Sequence, residues 1–110
     1  MKRFPSIKKN EDFRRIYKQG RSAANELLVM YVMQTDAGNR IGISASKKVG
    51  NSIIRHRCTR IIRECFRNNL PETKEGYDIV VMVRADAAKE GYDSISHAYA
   101  NLLNRLHIAK

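Results

Sequence analysis

Apolar residues recur along this chain with two different periods, and each change of period marks an element boundary. In the first stretch Phe13, Ile16 and Tyr17 fall at helical spacing, with Asn10 placed to cap, Glu11 and Asp12 in the first turn and Gly20 as terminator. These predict a short helix over 11–19. Residues 27–35 are apolar and β-branched, 36–39 read Asp-Ala-Gly-Asn, a turn signal, and 40–46 resume an extended pattern. The expectation is a β-hairpin over 27–46, with a short extra strand within 22–26 ahead of it.

Past Gly50 the period returns to helical. Ile54, Cys58, Ile61, Ile62, Cys65 and Phe66 recur over 51–67, with Asn51 placed to cap. Residues 77–83 read as a buried strand, and Asp93 is placed to cap a last helix with the stripe Ile95, Tyr99, Leu102, Leu103 and Leu106. The predicted order is α-β-β-β-α-β-α, an α+β fold in which one sheet carries packed helices. The 110 residues suit a single domain, 1–110, with no internal repeat and no Ser/Gly/Pro linker.

Composition narrows the partners. At 43% hydrophobic and 29% charged residues the chain is no disordered tail. Its longest apolar run, 27–33, falls well short of the roughly 18 residues that span a bilayer. Lys2 and Arg3 open the chain as a signal peptide would, yet Pro5, Lys8 and Lys9 stand where the apolar core should be, so the expected location is cytoplasmic. Cys58 and Cys65 lie in one predicted helix, where their rise of ~10.5 Å exceeds disulfide reach. Reduced core residues are expected, as in a reducing compartment.

The net charge of +10 is not spread evenly: residues 1–46 carry +5, residues 47–67 carry +6 and residues 68–110 carry −1. A footprint of this kind favours a polyanionic partner. On a helical wheel started at Asn51, the apolar set fills an arc from about 280° to 20°, while His56, Arg60, Arg63 and Arg67 fall between about 120° and 180°, with Arg57 on a flank near Glu64. Ordinarily a charged face is merely solvated, but such faces mix signs in i, i+4 pairs. Here arginines outnumber lysines five to none over 51–67, against one acid. Planar guanidinium forks suit phosphates and stacked bases, so RNA or DNA is preferred to a membrane surface. Lys47 and Lys48 precede the helix, whose first backbone N–H groups favour an anion.

The string Ser46-Lys47-Lys48-Val49-Gly50-Asn51-Ser52-Ile53-Ile54-Arg55-His56-Arg57-Cys58-Thr59-Arg60-Ile61-Ile62-Arg63-Glu64 resembles the signature of the bacterial ribonuclease P protein subunit, an Arg-Asn-Arg helix after Lys-Lys-x-Gly-Asn. The resemblance extends to Lys8-Lys9-Asn10-Glu11-Asp12-Phe13, Tyr17, Gly20 and Tyr31, about the first two thirds of the chain. His56 stands where the family usually has Asn, and Thr59 where it usually has Lys. The resemblance implies an α/β sandwich like a ribosomal-protein domain, with a left-handed βαβ crossover through the basic helix; periodicity alone would suggest the common right-handed one. It also implies a division of labour. The family's RNA subunit carries the metal-dependent hydrolysis that removes the 5′ leader of precursor transfer RNA, with Mg2+ held mainly by that RNA and the substrate, and no organic cofactor. By position, Lys47, Lys48, Asn51, Arg55, His56, Arg57, Arg60 and Arg63 would face the catalytic RNA, and Phe13, Tyr17 and Tyr31 would line a cleft for single-stranded leader. Stacking suits that task because it needs no particular sequence. Without the resemblance, a Phe/Ile/Tyr stripe at helical spacing reads as core.

No catalytic residue is assigned to the protein itself. His97 and His107 are expected on the last helix ~15 Å apart along its axis, too far to share one phosphate. Neither a zinc ligand pattern nor a P-loop or G-x-G-x-x-G occurs. Three readings remain: the protein subunit of an RNA-based ribonuclease, a structural RNA-binding protein of ribosomal type without a leader cleft, and a small nuclease acting alone.

Overall fold

The computed structural model describes residues 5–110; Lys2 and Arg3 lie outside them. Helix α1 (Asn10–Gln19) is followed by strands β1 (Arg21–Ala24), β2 (Leu28–Gln34) and β3 (Arg40–Ser44). Helix α2 (Ser52–Asn69), strand β4 (Tyr77–Val83) and helix α3 (Tyr92–Arg105) complete the chain, with 3-10 turns at Leu70–Glu72 and Ala85–Lys89. The order α-β-β-β-α-β-α is the one the pattern predicts. No helix among the described residues is long and apolar enough to cross a membrane.

The sheet order β1-β2-β4-β3 corrects the predicted hairpin. β2 and β3 do not pair: β4 lies between them, antiparallel to β2 and parallel to β3. The turn signal at 36–39 is real, but its residues hold the two strands apart. Asn39 accepts from Tyr77 N at 2.8 Å and donates to Lys74 O at 3.1 Å, while Thr35 N donates to Gly76 O at 2.8 Å, so the start of β4 is seated in the gap. The hairpin is instead β1–β2. Asn25 organises its turn, accepting from Leu27 N and Leu28 N and donating to Ala98 O of α3 at 3.0 Å.

Three other expectations shift. Asn10 is the first residue of α1 rather than its cap; Lys9 holds that place without a side-chain bond, and Glu11 and Asp12 supply the favourable charge at the first turn. At α3 the cap is Gly91, with Asp93 inside the first turn. His107 lies beyond α3, in left-handed backbone at φ 59°.

Alternation along the strands divides the fold into two cores. On one face Leu28, Met30, Val32, Ile79 and Val81 pack with Cys58, Ile62, Cys65 and Phe66 of α2 and with Ile95, Tyr99, Leu102 and Leu103 of α3. Both cysteines are buried and unbridged. The other face is covered only in part: Ile16 of α1 and Ile7 meet Val80, with Phe13, Tyr17, Tyr31 and Met33 half-buried around them. Residues 5–7 lie along the outer edge of β3, through Ile7 N to Ile41 O and Ile41 N to Pro5 O, both 2.9 Å.

Candidate nucleic-acid interface

Charge and aromatic groups fall into two regions joined by one connection. The first is the outer face of α2. Asn51 caps the helix as the spacing predicts, its Oδ1 accepting from Ile54 N at 3.0 Å. Gly50 precedes it at φ 155°, a value that side chains rarely adopt, so the turn into the helix calls for glycine. Within that turn Val49 is buried and its N–H donates to Ser46 O at 3.0 Å, which anchors a loop whose Lys47 and Lys48 stay exposed.

Along the helix, Ser52, Ile53, His56, Arg57, Thr59, Arg60 and Arg63 line one shallow groove. His56, Arg60 and Arg63 are exposed there, as the wheel predicts. Glu64 pairs with Arg67 on the same helix, so the single acid of this face neutralises its neighbour and, among the described residues, leaves Arg60 and Arg63 without an ion pair. Arg57 differs from the others. Its Nη1 donates to Glu90 O at 2.7 Å and its Nη2 to Ala88 O at 2.5 Å, so its fork holds the 3-10 turn after β4 against α2. Arg55 is half-buried, with its Nε enclosed and unpartnered, which accords with its place beside the apolar arc.

The second region is a cleft between α1 and the uncovered part of the sheet, lined by Asn10, Phe13, Arg14, Tyr17, Ile43 and Ser44. Two of the predicted aromatics, Phe13 and Tyr17, line it, and Tyr31 adjoins them through Tyr17. The Phe13 and Tyr17 ring centroids are 6.2 Å apart, and Tyr17 meets Tyr31 edge-on at 4.9 Å. Burial, eased by a hydrogen bond with Ser44 and reinforced by Tyr31, raises the Tyr17 phenol above its ordinary value. Across the sheet, Tyr31 pairs with Val80 and Val80 with Gly42. Gly42 is what lets the cleft close down: a Cβ there would lie 2.8 Å from Cζ of Phe13.

Sequence reasoning did not find Asn10, Arg14, Gly42, Ile43 or Ser44. A glycine between the two isoleucines of a strand is the one signal that could have flagged the close approach. The two regions are linked by chain continuity, because β3 ends at Ser44 in the cleft and runs within three residues into the Lys47-Lys48 turn. The aromatic cleft thus lies beside the basic turn that opens α2.

The "Ribonuclease P" family model matches residues 1–107 of the chain. The ribonuclease P protein component of Lachnoclostridium phytofermentans is 47% identical over 103 residues, covering 93% of this chain and 88% of that one. Among solved structures, the Staphylococcus aureus RNase P protein superposes with a TM-score of 0.85 at 34% identity, covering 98% of this chain and 100% of that one. The Thermotoga maritima RNase P protein gives 0.83 at 30%, covering 91% and 96%. A likeness of this extent, in sequence and in fold alike, makes the chain a member of the bacterial ribonuclease P protein component family, the protein subunit of a transfer-RNA-processing ribonuclease.

Proposed function

We propose that this subunit works by binding two RNAs at once, the catalytic RNA along α2 and the 5′ leader of precursor transfer RNA in the aromatic cleft. The observation that carries the reading is the cleft: Phe13 and Tyr17 form a half-exposed aromatic wall with Arg14 beside it and half-buried Tyr31 packed on Tyr17, where a sealed core would have hidden them. Aromatic faces accept any base at ~1 to 3 kcal/mol each, which suits leaders of differing sequence. Lys47, Lys48, His56, Arg60 and Arg63 are the residues for phosphates of the catalytic RNA. Asn51 acts there by capping the helix that presents them, Arg57 by bracing it, and Arg55 from its edge.

Hydrolysis is assigned to the RNA. In this reading Mg2+ is held mainly by the catalytic RNA and the substrate phosphates, whose hard oxygens suit it, and among the described residues no group of three or more His, Cys, Asp or Glu converges. The protein's part is electrostatic and positional. Its cations offset repulsion between two polyanions and so lower the Mg2+ that assembly needs. The expected location is the cytoplasm, where precursor transfer RNA is made.

The test is cleavage of a leader-bearing precursor by bacterial ribonuclease P RNA at low Mg2+, with and without the protein. Correct 5′ cleavage that depends on the protein supports the reading. Cleavage indifferent to a protein that still binds RNA would favour a structural RNA-binding role. Cleavage by the protein without RNA would transfer the chemistry to the chain.

A further inference from the structure

Helix α1 carries two of the three cleft aromatics, yet it is lightly anchored. It has ten residues, only Ile16 of them is buried, and no side chain caps its start. Its seat on the sheet rests on few buried apolar groups, and a rotation about its own axis would swing Phe13 and Tyr17 away from Tyr31 and Gly42.

A charged chain restrains it. Arg40, the first residue of β3, sits beside Asp78 of β4 in the parallel register. Its guanidinium forks onto both carboxylate oxygens, Nε to Oδ1 at 2.9 Å and Nη2 to Oδ2 at 2.8 Å, and the Asp78 side chain is 3% exposed. The remaining corner, Nη1, lies 4.0 Å from Asp12 Oδ2 on α1, and the other oxygen of Asp12 is held by Arg15 at 3.1 Å. Asp12 directly precedes Phe13, and Arg40 lies two residues before Gly42 on the same strand.

We propose that Arg40 is a positioning residue for the leader cleft, fixing the seat of α1 on the sheet through Asp78 and Asp12. Fork geometry suits this task, because a planar bidentate pair sets direction as well as distance, and a lysine would supply only a point charge. The proposal rests on the leader reading and adds to it the residues that hold the wall in place.

The experiment compares Asp12→Asn, Arg40→Lys and Tyr17→Ala in the reconstituted holoenzyme, measuring KM and kcat for leader-bearing precursor, affinity for mature transfer RNA and affinity for the catalytic RNA. Asp12→Asn leaves the Arg40–Asp78 fork whole, and a melting curve for each variant separates a loss of cleft geometry from a loss of fold. The expected result is a KM for leader-bearing precursor raised about threefold to tenfold by Asp12→Asn and by Arg40→Lys, with kcat, mature transfer RNA binding and catalytic RNA binding unchanged. In a Tyr17→Ala background Asp12→Asn should add less than it does alone, because only Phe13 is left to displace. If Tyr17→Ala abolishes the leader's contribution while Asp12→Asn leaves it whole, the positioning role is wrong and the leader reading stands. If Tyr17→Ala also leaves it whole, both are overturned.

Discussion

Phe13 lies directly on the backbone of β3 at Gly42, so close that a Cβ there would stand 2.8 Å from the ring. The missing side chain is therefore part of the cleft. Gly42→Ala is expected to force the ring outward and to cost about 1–3 kcal/mol of stability by overpacking. Weaker binding of leader-bearing precursor reports the displaced ring, and thermal denaturation measures the loss of stability. A variant as stable as the parent, with unchanged leader affinity, would mean that the ring relaxes freely.

Arginines of α2 divide by what their forks touch. Arg60→Ala is expected to leave stability unchanged and to reduce the log-log salt slope of catalytic RNA binding by roughly 0.7–0.9, as one lost phosphate contact should. Arg57→Ala removes two bonds to carbonyls and is expected to destabilise the fold by about 1–3 kcal/mol. Urea titrations of both variants beside their salt slopes check the contrast. Equal stabilities would remove the bracing role of Arg57.

Tyr17→Ala is expected to weaken binding of precursors that carry a leader while leaving mature transfer RNA binding unchanged. Its edge-on contact with Tyr31 is lost as well, a packing term of about 0.5–1.5 kcal/mol that a melting curve reports separately. Equal losses for both RNAs would return Tyr17 to a purely structural role.

Asn51→Ala removes the acceptor for Ile54 N and is expected to cost about 1 kcal/mol, with a larger loss than Asn51→Ser, whose hydroxyl can still cap. Chemical denaturation of the two variants separates capping from any direct contact with RNA, since Asn51→Ser should keep stability.

Alkaline pH should loosen the α2–α3 core. Burial pushes the Cys65 thiol from 9.0 up to about 11, against a hydrogen bond with Ser96 that pulls it down, and burial raises the Tyr99 phenol in the same direction. An acid whose folded value lies above its unfolded one contributes stability that is whole below the unfolded value and is lost as pH rises through the folded one. The urea midpoint is therefore expected to fall between pH 9 and 11, and to fall less steeply in Cys65→Ala. An identical alkaline slope in that variant would clear Cys65 of the effect.

The amino-acid sequence by itself determined what acts over a few residues. The three helices, the polarity of α2, the cap at Asn51 and the buried strand Tyr77–Val83 all follow from spacing and capping, because those forces operate within a turn or two of the chain. The basic face was legible for the same reason, since a helix maps sequence offset onto angle. Resemblance to a family, and not periodicity, marked Phe13, Tyr17 and Tyr31 as more than core. Tertiary structure alone decided which strands meet. Any extended strand offers the same backbone donors and acceptors, so nothing local in 27–46 says that β4 will come between β2 and β3. That insertion puts Val80 between Tyr31 and Gly42 and Asp78 beside Arg40, and it brings Ala88 and Glu90 to Arg57. Each of these pairs residues more than thirty positions apart, where only the packing of the whole chain fixes the distance.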